Sequence, residues 1–228
     1  MNSTPEIAMT DITLVGEFRP ATFSAAWLKS RGLVRSSDVD ESDSNVSEEK
    51  FRNDFYQLHG PAFTLVVTRD RLTVQGQSNN GPLVRDLALG LLQVNIATAV
   101  SDLGLNFQAH YKCDSKEQWH AVGHHLAPKE TWHELFPEQH VGMRSLTMRI
   151  ASSDATDITD WVELTIQPSV QVHPGVFFAW NDHHGKIHQE GDAEDSVADA
   201  MAIIRDNYDR LLIESYKKFA ETLAYANK

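Results

Sequence analysis

The segment DAEDSVADAMAIIRDNYDRLLIESYKKFAETLAY, residues 192–225, carries the strongest local signal in the chain. Its apolar side chains recur mostly three or four residues apart, without an internal Gly or Pro, which is the pattern of an amphipathic helix. About 34 helical residues span about 50 Å, more than a domain of this size needs to cover its sheet. We therefore expect a long helix that either packs entirely on its own sheet or contacts a second copy of the chain.

Seven upstream segments alternate apolar and polar residues or are rich in β-branched residues, as strands are. The predicted strands cover residues 7–18, 62–68, 72–77, 105–112, 144–151, 161–168 and 174–180. The second and third are separated by a short polar turn, which predicts a β-hairpin. The last three are expected to form a meander.

Three further regions have helical patterns. Residues 21–31 suit a short helix, and residues 115–136 suit two fragments separated at Ala127-Pro128. A helix is predicted from Pro82 to Asp102, and its apolar residues cover most of its circumference, so we expect it to be buried. The fold class that follows is α+β: a mixed, mostly antiparallel sheet, or more than one, packed by a buried central helix and a long C-terminal amphipathic helix.

The length of 228 residues fits a single α+β domain over residues 1–228 or two fused modules, 1–112 and 113–228. Residues 35–50 differ from the rest, because the surrounding stretch from Val34 to Lys50 contains six acidic side chains and five serines. Such a stretch buries too little apolar surface to offset the entropy of ordering. We interpret it as a flexible acidic loop, either a solvated insertion or a docking site for a basic partner.

The charge balance bears on the partner. Twenty Lys and Arg against 32 Asp and Glu give a net charge of −12 with His neutral, which repels phosphate backbones and anionic membranes. No cluster of Lys and Arg interleaved with aromatic residues is present, so nucleic-acid binding is not expected. The acidic balance suits either solubility or a protein partner with a basic surface.

Features of the sequence also bear on the compartment. The first residues lack a basic region followed by an apolar stretch, and no uncharged apolar segment reaches the roughly 20 residues of a membrane span. Cys113 is the single cysteine and cannot form an intramolecular disulfide. We predict a cytoplasmic bacterial protein that does not associate with membranes.

The histidines are concentrated: ten of the eleven lie between His110 and His188. On a helix, His120 and His124 would face the same way, and with His125 they form a candidate site for zinc or another divalent metal. His133 or His140 would add a further ligand. The alternative is an ordinary surface helix rich in histidine, with no metal and no cofactor.

A second group, Asp182, His183 and His184, follows Trp180 just before the last helix, with His188 close by. The group predicts a pocket between the sheet and that helix. The expected lining is His124, Trp180, Asp182, His183 and His184. There His183 or His184 would act as a general base near neutral pH, oriented by Asp182.

Known catalytic motifs are absent from the sequence. It contains neither phosphate-binding glycine motif, G-x-x-x-x-G-K-[ST] or G-x-G-x-x-G, and neither G-x-S-x-G nor H-E-x-x-H. This absence favours a protein without catalytic activity over an enzyme.

Two terminal stretches resemble a sporadically distributed, uncharacterised family of bacterial proteins of similar length. They are VHPGVFFAWNDHH at 172–184 and DRLLIESYKKFAETL at 209–223, preceded by LALGLLQVNIATAV at 87–100 and LNFQAHY at 105–111. The resemblance implies a compact α+β unit ending in a long helix. It implies no activity, and it favours an interaction or defence-associated protein.

Taken together, these patterns predict a non-catalytic bacterial interaction protein. It would be an accessory, antitoxin-like or defence-associated subunit acting through protein–protein contacts and forming a homo-oligomer, such as a homodimer, through its C-terminal helix. The alternative is an enzyme, or a small-ligand or metal-binding protein, with a histidine-rich pocket that uses the loop at 181–188.

Overall fold

The computed structural model describes residues 4–39, 48–94, 97–151, 159–187 and 193–226. Within these ranges, nine antiparallel strands form one sheet in the order β2-β3-β4-β5-β1-β6-β9-β8-β7. The strands are β1 Ile7–Phe18, β2 Glu48–Arg52, β3 Phe55–His59, β4 Thr64–Thr68, β5 Arg71–Gln77, β6 Ala97–Lys112, β7 Leu146–Ile150, β8 Asp160–Pro168 and β9 Gly175–His184. The helices are α1 Ala25–Ser30, α2 Gly81–Gln93, α3 Lys116–Leu126, α4 Glu130–Leu135 and α5 Ala193–Ala226. The α+β class predicted from the sequence is confirmed.

The same order of elements occurs twice along the chain. A long strand is followed by one or two short helices and then by a meander. The last strand of the meander pairs with the long strand, and a further helix follows it. In the first half β1 pairs with β5 before α2, and in the second half β6 pairs with β9 before α5. The two long strands β1 and β6 pair with each other at the centre. One continuous sheet therefore runs through both halves, including both sides of the 112/113 boundary.

Strand alternation gives the sheet two different faces. On the first, the helix-side face, Ile12 and Leu14 of β1 are fully buried together with Leu105 and Phe107 of β6. The alternate residues, such as Thr13, point to the opposite face and stay partly exposed. We call this second face the uncovered face, because the helices that pack on the sheet do so on the helix-side face.

Helix α5 packs on the helix-side face along its length. Near its start, the Ser196 hydroxyl accepts a hydrogen bond from the Val100 backbone N–H at 3.1 Å. In its middle, the Tyr208 hydroxyl lies 2.8 Å from the Thr10 hydroxyl, and towards its end Phe219 is fully buried. These contacts bear out the predicted long amphipathic helix. Among the helices of the described ranges, none is both long and apolar enough to cross a membrane.

The predicted helix from Pro82 to Asp102 is wrong in its second half. Helix α2 ends at Gln93, and strand β6 begins at Ala97. A nearly continuous apolar run fits a buried helix and a buried strand equally well. Pairing with β1 decides between them, because Val100 and Asp102 lie opposite Gly16 and Val15 in the ladder.

The edge of the sheet also differs from the prediction. Residues 48–50, assigned to the acidic loop, belong to β2, and β3 at Phe55–His59 was not predicted. The β2 sequence EEKFR is mostly charged, which is typical of an edge strand and hides its extended conformation from a hydrophobic pattern. Residues 40–47 of the predicted loop lie outside the described residues.

Candidate functional site

The uncovered face is a polar surface to which all nine strands contribute. Its partly exposed positions include Gln57, Thr64, Val66, Thr73, Gln75, Thr13, Asn106, Gln108, Phe177, Ala179, Asn181, Thr165 and Gln167. Basic and acidic side chains are interleaved with them at Lys50, Arg52, Arg71, Lys112 and Arg149 and at Asp11, Asp102 and Glu163. Because both signs are mixed, this face gives a basic partner no electrostatic advantage.

Asp11 lies at the centre of the uncovered face and is only 8% exposed. Its carboxylate accepts a hydrogen bond from the Asn106 side-chain amide at 2.7 Å and another from the Thr13 hydroxyl at 3.1 Å. Burial raises the pKa of Asp11 to about 6, although both hydrogen bonds act in the opposite direction. The centre of this face therefore holds a carboxyl group whose pKa is raised well above that of an exposed aspartate.

The same central region contains a buried polar atom without a partner. Asn181 lies directly opposite Asn106 in the sheet, and its side-chain oxygen accepts no hydrogen bond within the described residues. Gly104 lies close to both amides: a Cβ added there would lie 3.4 Å from that oxygen and 3.3 Å from the Asn106 side-chain nitrogen, so a larger residue would crowd them. A buried acceptor that lacks a hydrogen bond costs free energy, so this position lowers the stability of the fold.

Towards the far edge, three flat side chains stack across neighbouring strands. The Arg149 guanidinium lies 4.3 Å from the centre of the Trp161 ring, and the Trp161 and His183 rings lie 3.9 Å apart. The Nε2 atom of His183 is 3.6 Å from an Asp102 carboxylate oxygen. Burial lowers the pKa of His183, and the nearby Asp102 charge only partly opposes this. The stack forms an aromatic and cationic strip on the uncovered face.

His184 points the other way, to the helix-side face, because successive strand residues alternate. Its Nε2 atom is 2.9 Å from an Asp182 carboxylate oxygen, and its Nδ1 atom is 3.7 Å from Asp160. Burial acts to lower the pKa of His184, but the hydrogen bond and charge of Asp182, together with Asp160, raise it overall. His184 also lines a cavity of about 430 Å³ that includes Asp199 and Asp206 of α5.

The structure thus brings together only part of the predicted pocket. Asp182 and His184 are in contact, whereas His183 lies on the opposite face of the sheet. Trp180 is buried, with its indole N–H lacking a partner in the described chain, and His124 lies on α3 beside a different cavity. His188 lies outside the described residues.

The histidines proposed as metal ligands are also divided. His120 and His124 line a cavity of about 550 Å³ together with His133 and His140. His125 instead packs edge-on against Tyr225, with ring centres 4.9 Å apart. Within the ranges that the structure describes, no group of three or more His, Cys, Asp or Glu side chains is arranged to hold a metal ion. The divalent-metal site at His120, His124 and His125 stays a prediction.

Comparisons with protein-family models and with curated proteins found no match to this chain. The resemblance of its terminal stretches to a bacterial family therefore stays a prediction.

Sequence reasoning missed the uncovered face and its central carboxyl group. A signal was present, because the polar positions of the alternating segments, such as Asp11, Thr13, Asn106 and Gln108, mark one side of a sheet. What the sequence lacks is the strand order, which places these positions next to one another. Trp161 and His183 become neighbours only through the pairing of β8 with β9.

Proposed function

We propose that this chain is a non-catalytic interaction protein that binds a protein partner through the uncovered face. The supporting observation is the asymmetry of the sheet: its helices pack on one face, and the other presents polar side chains from all nine strands. A surface of this kind can bind a partner without a catalytic group, since complementary shape and hydrogen bonds suffice for recognition.

The size of the face suits a specific complex. Nine strands leave eight gaps of about 4.8 Å, or about 38 Å, and five or six residues per strand add about 20 Å. The product, about 760 Å², is close to the roughly 800 Å² that each partner contributes to an interface of standard size. A folded domain, rather than a short peptide, would fill it.

The side chains of the face are also held in place before binding. The Thr13 and Thr73 hydroxyls lie 3.0 Å apart across β1 and β5, and those of Thr147 and Thr165 lie 3.0 Å apart across β7 and β8. Side chains ordered in advance lose less entropy on association. Trp161, flanked by Arg149, offers an anchor of the residue types that contribute most binding energy at interfaces.

Within this proposal, the biological role is that of an accessory, antitoxin-like or defence-associated subunit in the bacterial cytoplasm. We also propose that the chain associates with a second copy of itself through α5. Most of its apolar side chains are used inside the chain, and Ile213 and Tyr225 are its two strongly exposed large hydrophobic residues. A dimer through α5 would therefore depend on few side chains, and Ile213→Lys is expected to dissociate it in light-scattering measurements.

The experiment compares the same substitution on two surfaces. Ala179 lies on the uncovered face between Gln108 and Thr165, and Ala198 is exposed on α5. We expect Ala179→Arg to weaken binding of the partner recovered with the wild-type chain by at least about tenfold, because the new side chain obstructs the face. Ala198→Arg should bind that partner normally.

Both variants are first compared with the wild type by circular dichroism and thermal unfolding, so that loss of binding is separated from loss of fold. Binding of one partner is then measured quantitatively with the purified chains. Loss of affinity in Ala198→Arg with full affinity in Ala179→Arg would contradict the proposal and move the interface to α5.

A second candidate function is supported by the contact between Asp182 and His184. An imidazole oriented by a carboxylate beside a cavity is suited to general base catalysis or to binding a small ligand. In this case His184→Gln would abolish the function of the chain in cells without changing its thermal stability. Ala179→Arg would leave that function intact. The reverse pattern would favour the interaction surface.

A further inference from the structure

A cavity of about 550 Å³ lies where α3, α4 and residues 139–143 meet strands β8 and β9. Much of its wall is apolar, with contributions from Trp119, Val122, Met143 and Val176. Pockets that enclose small organic ligands typically measure about 300–1,000 Å³ and have mostly apolar walls. The volume and walls therefore suit the body of a small organic molecule.

The side chain of Lys129 lines this cavity and is only 7% exposed. Its amine lies 3.4 Å from the Nδ1 atom of His124. Among the described residues, no Asp or Glu lines the cavity, and no ion pair joins Lys129 to a carboxylate. A buried ammonium group is normally paired with a negative charge, so a ligand that carries one would complete this site.

The mouth of the cavity adds further polar groups without adding acidity. His120, His124, His133 and His140 line it, and all four are exposed. Their ring nitrogens can donate hydrogen bonds to an anion. The ammonium group beside His124 repels a divalent cation at that nitrogen, so an anion fits this cavity better than a metal ion does.

The geometry points to a binding site for a small amphipathic carboxylate in this cavity. The carboxylate pairs with the Lys129 ammonium, and the apolar body lies against Trp119, Val122 and Met143. This site is independent of the partner-binding surface proposed above, so each proposal stands or fails by its own experiment.

The test is isothermal titration calorimetry of the full chain with 2-naphthoate and with 2-naphthamide, which has the same shape and no charge. We expect the wild type to bind the carboxylate at least about tenfold more tightly than the amide. Lys129→Met should remove this preference, because it keeps much of the aliphatic stem and loses the ammonium group. Lys116→Met, an exposed lysine on α3, is the matched control and should keep the preference.

A second variant tests the location of the site. A Cβ added at Gly123 meets the Lys129 amine at 3.9 Å and nothing nearer, so Gly123→Leu places its side chain in the cavity and should abolish binding of both compounds. Equal affinity of the wild type for both compounds, or no binding of either at millimolar concentration, would overturn the proposal. A preference that survives in Lys129→Met, or full binding in Gly123→Leu, would overturn it as well.

Discussion

Replacement of Asp11 by Asn is expected to stabilise the protein, and the size of the effect depends on pH. In the folded chain the carboxyl group of Asp11 is nearly buried, and burial raises its pKa from 3.8 to about 6. In the unfolded chain the group is solvated and has the ordinary value. The ionised carboxylate of Asp11 therefore has a higher free energy in the folded chain than in the unfolded chain.

The magnitude follows from the shift in pKa. A raised pKa adds stability only while the group is protonated, so the contribution is complete below pH 3.8 and is lost as pH rises through about 6. The difference between a pKa of 3.8 and one of about 6 corresponds to about 3 kcal/mol at pH 8. Asn has no charge to desolvate, and its oxygen can still accept the hydrogen bonds from Asn106 and Thr13.

The measurement is urea denaturation of the wild type and Asp11→Asn at pH 4, 5, 6 and 8. We expect the variant to gain little at pH 4, about half of the full effect at pH 5 and up to about 3 kcal/mol at pH 8. Asp54→Asn, at an exposed turn, serves as the control and should show no such trend. A variant that is equally stable or less stable than the wild type at pH 8 would refute the account of a desolvated central carboxyl group.

Other predictions concern backbone packing and individual side chains. Gly16→Ala should destabilise the fold by about 1–3 kcal/mol in denaturation experiments, because its Cβ would collide with a backbone carbonyl oxygen of β6, whereas Gly142→Ala, with open space around it, should be neutral. In NMR titrations, His184 should titrate above pH 6.5 and His183 below it. If His183 titrated above His184 instead, the carboxylates of Asp182 and Asp160 would not control the pKa of His184. Burial, aided by Asp114, raises the pKa of Cys113 to about 11, so it should react with a thiol reagent at pH 8 only after unfolding, and rapid labelling of the native chain would contradict its placement.

Sequence patterns predicted well where the local signal was complete. Strand β1 has the predicted bounds, Ile7–Phe18, because its alternation runs up to Pro20, and α5 differs from its prediction by one residue at each end. Sequence patterns failed where the pairing between strands decides the structure. Residues 97–102 become a strand because β1 is available to pair with them, and β2 is extended because β3 lies beside it.

The candidate sites were predictable to a smaller extent. Asp182 and His184 are close because they are two residues apart on a strand and so lie on the same face of the sheet. The same alternation places His183 on the opposite face. The stack of Arg149, Trp161 and His183 depends on the register of three strands, and no local pattern encodes that register. The acid-free cavity around Lys129 likewise depends on how α3 and α4 pack against the sheet.

The most direct test of the uncovered face as a binding surface is site-specific photocrosslinking in cells. A photoreactive phenylalanine derivative is placed at Gln108 or Thr165 on that face, and on α5 at Glu214, which is partly exposed, or at Ala198, which is exposed. We predict crosslinks to one partner protein from Gln108 and Thr165, and none to that partner from Glu214 or Ala198. Crosslinks to a partner from the α5 positions, with none from Gln108 or Thr165, would contradict the proposal.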